Sequence, residues 1–160
     1  MARAPAAKPA AAPEASAGGS VGRDDVGFLL AKATQRWNEL LAARFAAAGY
    51  ADLRPSYGSI LLPLYEEDGL RIGELARRAR LSKQTLTDLV RRLERDGLVE
   101  RRPDPSDARA SLIYLTPRSR RFEPVAAATL GDLNRLVRAR LSSRRLGELK
   151  TALRLLMDLE

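Results

Sequence analysis

Along most of this chain apolar residues return every three or four positions, and the gaps between the periodic runs hold cap and turn residues. Val26, Leu29, Leu30, Ala33, Trp37, Leu40, Leu41 and Phe45 make one wide stripe. They predict a first helix from about Asp24, as its cap, to Ala48, closed by Gly49. A second helix is expected from Pro55 to about Glu67. Pro55 suits a first helical turn, Gly69 stops the run, and Pro63 removes a hydrogen bond to the Ser59 carbonyl and bends the axis. Leu70, Arg71 and Ile72 suit a very short strand. A third helix follows over about Ile72 to Arg80, with Leu75, Ala76 and Ala79 inward and no good cap at its start.

Ser82 is a strong cap for a fourth helix, whose inward face is Leu86, Leu89, Val90 and Leu93 and whose end is Gly97. Its outer faces carry Lys83, Gln84, Thr85, Thr87, Asp88, Arg91, Arg92 and Arg95. Leu98 to Arg102 and Ala110 to Leu115 then read as two strands around a Pro/Asp loop at 103–109. Thr116 caps a fifth helix and Pro117 opens it. That helix presents Leu130, Leu133, Leu136, Val137 and Leu141, with a bend or irregular early turns expected at Pro124. Ser142 or Ser143 caps a last helix bearing Leu146, Leu149, Leu153 and Leu156. The fold class is therefore mainly α with a small β-wing (α+β), in which a helix followed by a cationic hairpin makes a winged helix-turn-helix. One small winged helix cannot bury the stripes of the first, fifth and sixth helices. A two-fold homodimer with interleaved terminal helices buries them.

Charge points to the partner. The chain of 160 residues carries a formal charge of +8, and residues 71–121 hold fourteen Lys/Arg against seven Asp/Glu. A concentrated basic stretch over a helix-turn-helix and wing is the footprint of a polyanion, here double-stranded DNA. The sequence has no Cys and no His. Disulfides, thiolate redox switching, imidazole acid–base chemistry and zinc sites of the usual kind are thereby excluded. No nucleophile–base pair, phosphate loop or metal cluster is visible, so the reading is not an enzyme and has no cofactor and no metal. Residues 1–22 are rich in Ala and Pro and too poor in large apolar side chains to order themselves, and they hold no apolar run fit for a signal or a membrane span. A disordered tail, no membrane partner and a cytoplasmic, nucleoid-associated location are the expectations, with one domain over residues 23–160.

Three stretches between Leu53 and Thr116 carry a resemblance: LRPSYGSILLPLYEEDG, RIGELARRARLSKQTLTDLVRRLERDGLVERRPDPSDAR and the closing LIYLT. They resemble the MarR family of bacterial transcriptional regulators, and the helix order along the chain matches as well. The most specific pieces are the step from Gly97 to Arg101 and the Asp107-Ala108-Arg109 wing, taken together at this spacing. The resemblance implies a winged helix-turn-helix lobe at 53–116 flanked by dimerisation helices at 24–48 and 117–159. It also implies a homodimeric repressor on a near-palindromic operator, in a family whose members often release DNA on binding a small molecule.

The fourth helix then enters the major groove by its N-terminal half. Lys83 and Gln84 donate to base edges, Ser82 and Thr85 bond phosphate or base, and Arg91 reaches guanine or backbone. Thr87 and Asp88 complete the face. Asp88 either accepts from cytosine or pairs with Arg91 or Arg92. Arg109 sits at the wing tip, where matching arginines of the family reach the minor groove, and Asp107 positions the loop. Ala108 stands where the family often has a second basic residue, which weakens the wing's phosphate grip. The family's ligands lie between the dimer helices and the DNA-binding lobe, which makes Trp37, Tyr57, Leu61 and Tyr65 candidates for a small aromatic effector. The competing function is a winged helix used for sequence-neutral DNA binding or for protein–protein contacts. A large preference for one palindrome separates the two.

Overall fold

The computed structural model describes residues 22–159, so the tail expected over 1–22 lies, but for Gly22, outside the described residues. In chain order the elements are α1 Val26–Ala47, α2 Gly58–Glu66 led in by a 3-10 turn Pro55–Tyr57, β1 Leu70–Arg71, α3 Ile72–Ala79, α4 Lys83–Arg95, β2 Val99–Asp104, β3 Asp107–Leu115, α5 Pro117–Arg140 and α6 Ser143–Met157. By contact density the chain divides into residues up to Thr34, which include the opening turns of α1, and residues from Gln35 onward. In the first part the cap of α1 is Asp25 rather than Asp24: its Oδ1 accepts from the backbone N–H of Gly27 at 2.8 Å and of Phe28 at 3.2 Å.

From Gln35 onward the apolar periodicity becomes one core. Leu41 and Phe45 of α1, Ile60, Leu61 and Leu64 of α2, Leu75 of α3, and Leu86, Val90 and Leu93 of α4 are buried together with Leu98, Ile113 and Leu115. Turn chemistry sets the element ends. Gly49, Gly69 and Gly97 all have positive φ, and Gly69 also faces Tyr114 so closely that a Cβ would stand 2.7 Å from the ring. α3 begins without a side-chain cap, as the sequence implies. Ser82 caps α4 by accepting from the Thr85 N–H at 3.1 Å, and Thr116 caps α5 by accepting from Ser119 at 3.3 Å.

Two further expectations need correction. The wing is longer and its turn tighter than the 103–109 loop read from the sequence. β2 and β3 extend to Asp104 and Asp107, leaving only Pro105 and Ser106 between them. The Asp104 carboxylate makes this possible: its Oδ1 accepts from the Ser106 N–H at 2.8 Å and from the Ser106 hydroxyl at 2.7 Å, which closes the turn from inside. The pairing then jumps from Asp104↔Asp107 to Pro103↔Ser111, so residues 108–110 bulge from the ladder. In α5 the inward face is Ser119, Phe122, Ala126, Thr129 and Leu133, while Leu136, expected inward, is about half exposed. The helix runs unbroken through Pro124, which is exposed. The three strands form an antiparallel sheet in the order β1-β3-β2.

Candidate nucleic-acid interface

Leu86, Val90 and Leu93 are fully buried and fix α4 on the core, so its opposite face is held outward. At 3.6 residues per turn Gln84, Asp88, Arg91 and Arg95, spaced four, three and four apart, fall in one row on that outward face. Ser82, Lys83, Gln84, Thr85, Asp88 and Arg91 are all exposed, and Thr87 is half-buried. Hydrogen bonding divides them further. The Ser82 hydroxyl is engaged with Thr85, both as the acceptor of its N–H and with its Oγ1 at 2.8 Å. Thr87 Oγ1 donates to the Lys83 carbonyl at 2.7 Å, so its proton is spent within the helix. Asp88 accepts from Gln84 Nε2 at 3.3 Å and faces Arg91 at 3.6 Å. Lys83 makes no ion pair among the described residues.

Arg109 lies in the wing bulge and is exposed, and its backbone N–H donates to Asp107 Oδ1 at 3.0 Å. Asp107 thus shapes the chain next to Arg109, as expected of it, but the turn itself belongs to Asp104. Asp104 is buried, and its Oδ2 accepts from Arg71 Nε at 2.6 Å, which ties the wing back to β1. Hydrogen bonds from the Ser106 hydroxyl and N–H, and then the Arg71 guanidinium, hold its carboxyl below the usual carboxylate range. The sequence signal for Asp104 is the Asp-Pro-Ser-Asp turn, whose first Asp accepts from Ser106 and whose second, Asp107, accepts from Arg109. On the strands, Arg101 pairs with Glu94 at 2.9 Å, while Arg102 pairs with Glu100 and lies over the Tyr114 ring at 4.5 Å. These cations serve the fold before any partner.

The four effector candidates converge. Trp37, Tyr57, Leu61 and Tyr65 line one cavity of about 250 Å³ together with Leu41, Phe45 and Phe122 and with Asn38, Arg54 and Ser59. That is just below the roughly 300–1,000 Å³ usual for small-molecule pockets. Tyr57 is buried and its hydroxyl donates to Asp96, the C-cap of α4. The same Asp96 offers its carbonyl to Arg118 Nη1 of α5 at 2.5 Å. Tyr65 donates to the Ser119 carbonyl at 3.0 Å. Burial, and then the Asp96 carboxylate, push the Tyr57 phenol up. Burial first and Glu123 second push Tyr65 up to about 12. Both rings therefore present neutral phenols whose protons are already engaged. Among the described residues no group of His, Cys, Asp and Glu is arranged to hold a metal ion.

The MarR family model matches residues 53–111. The organic hydroperoxide resistance transcriptional regulator of Bacillus subtilis is 31% identical over 104 residues, covering 65% of this chain and 69% of that protein. The chain belongs to the MarR family. A solved structure of a probable transcriptional regulator from Pseudomonas aeruginosa superposes with TM-score 0.72 at 31% identity, covering 83% of this chain and 97% of that one. The DNA complex of S. aureus MepR superposes with TM-score 0.71 at 20% identity over 83% of this chain and 96% of that one, a likeness of fold. Three further curated relatives align only over 59–61 residues at 42–44% identity, so this MarR-family chain spans about a third of their length, 31–40%. Relatives of this MarR chain are named as regulators of transcription rather than as enzymes. No helix among the described residues is long and apolar enough to cross a membrane.

Proposed function

We propose that this chain is a sequence-specific double-stranded DNA-binding repressor, acting in the cytoplasm at the nucleoid as a homodimer on a near-palindromic operator. One observation carries the reading. A helix locked to the core by three fully buried side chains holds Lys83, Gln84, Thr85 and Arg91 outward, and the next hairpin bulges at an exposed Arg109. Gln84 and Lys83 read base edges, Arg109 enters the minor groove, and Ser82 and Thr87 shape the helix end that presents them. Exposed apolar side chains support the homodimer: Leu149, Leu153, Leu155 and Leu156 on α6, and separately Val26, Phe28, Leu29 and Leu30 at the start of α1. The aromatic cavity takes a small aromatic effector, with Arg54 as the cation in its wall.

Arg109→Ala tests the assignment. Operator affinity falls and the sedimentation of the free protein is unchanged, because the side chain is exposed and makes no ion pair among the described residues. Unaltered affinity at physiological salt contradicts it.

A further inference from the structure

Ion pairing decides which arginines of α4 are available to a partner. Arg91 faces Asp88, which also accepts from Gln84, and Glu94 is held by Arg101 at 2.9 Å. Both carboxylates on this part of the helix surface are therefore occupied. Arg92 and Arg95 are exposed, and among the described residues neither guanidinium makes an ion pair or a hydrogen bond. With Asp88, Arg91 and Glu94 they line an open groove of about 540 Å³ along the C-terminal half of the helix. Two uncommitted guanidiniums beside neutralised carboxylates leave a local excess of positive charge, with planar donors suited to phosphate oxygens.

Position along the helix says what they meet. Arg95 shares the outward row with Gln84, eleven residues away, which at the rise of an α-helix is about 16 Å. The major groove is about 12 Å wide. A helix seated with Gln84 against base edges carries Arg95 past the groove, to the phosphates of its wall. Arg92, one helical turn back from the C-cap Asp96, flanks the same rim.

We infer that Arg92 and Arg95 form a phosphate clamp, which grips the duplex backbone beside each half-site and carries no sequence information. The clamp rests on the DNA reading above and adds to it a site for the backbone, separate from the base-reading half of α4. It raises affinity for every duplex alike and steepens the dependence of binding on salt.

The test is the salt dependence of binding to a random-sequence duplex, measured by fluorescence anisotropy between 50 and 200 mM salt, for the wild type, Arg92→Ala/Arg95→Ala and Arg92→Lys/Arg95→Lys. At about 0.9 units of logarithmic slope per neutralised phosphate, the alanine pair flattens the slope by about 1.8 per chain and about 3.6 for the homodimer, so affinity varies roughly a hundredfold less over that range. The lysine pair keeps the wild-type slope, and the ratio of affinities for preferred over random sequence is unchanged in both. Alanine variants with the wild-type slope overturn the clamp and leave DNA binding standing. So does a lysine pair as flat as the alanine pair. A wild type that holds no duplex even at 50 mM overturns the DNA reading itself. Thermal melting of each variant guards against loss of fold, since both side chains project from the surface.

Discussion

Asp104 sets the geometry of the wing, and the pH at which it lets go follows from its contacts. Its carboxyl is held below the ordinary range by Ser106 and then Arg71. A depressed folded-state value contributes stability above the unfolded value, about 3.9, and that stability is lost only as pH falls through the lower folded value. The wing turn is therefore expected to stay closed at pH 4 and to open below it. The Ser106 amide, followed by NMR against pH, reports this directly; an amide already released at pH 5 contradicts it. The contrast with Ser82 shows what the sequence discloses at this scale. Ser82 caps a helix three residues away, a local rule that reads straight from the letters. Asp104 answers to Arg71, thirty-three positions distant, and no local pattern announces that pair.

Among elements, the strand pair and the loop before it depend on one close approach. Gly69 sits at φ 74° with Tyr114 against it, and Tyr114 in turn supports Arg102 of β2. Asp68 fastens the same corner, accepting from the Leu115 N–H at 2.9 Å and pairing with Arg120. Gly69→Ala is expected to cost about 1–2 kcal/mol from the backbone conformation alone, and more from the displaced ring. Urea denaturation measures it, and a loss below half a kcal/mol contradicts the account. All six helices and both wing strands were legible, because 3.6-residue and two-residue periods and glycine stops are written locally. The inward face of α5 was legible in part. Leu133 is buried as its stripe predicts and Leu130 packs on the core, but Leu136 is about half exposed, and the helix also buries Ser119, Phe122, Ala126 and Thr129. Ser119 donates to the Leu98 carbonyl, a fit no hydrophobicity pattern expresses.

For the whole molecule, the apolar residues left on α6 are the argument for a second copy. Leu149, Leu153, Leu155 and Leu156 are 37–68% exposed on a short helix. Replacing Leu153 and Leu156 together by Glu places charge on that surface, and is expected to give a folded monomer by sedimentation at micromolar concentration with operator binding lost. A variant that remains a dimer contradicts the assignment of α6 to the interface. The candidate site was legible in outline at this scale too. The aromatic residues named from sequence share one cavity, while its link to α4 through Tyr57 and Asp96 needed the fold.

The central claim is that two copies of this chain read DNA symmetrically, each through α4 and its wing. Selection of preferred sequences from a pool of random duplexes tests it most directly. The account predicts enrichment of an inverted repeat whose half-sites are centred about one helical turn, roughly 10 base pairs, apart. Enrichment of a single unpaired half-site, or of no sequence at all, contradicts it.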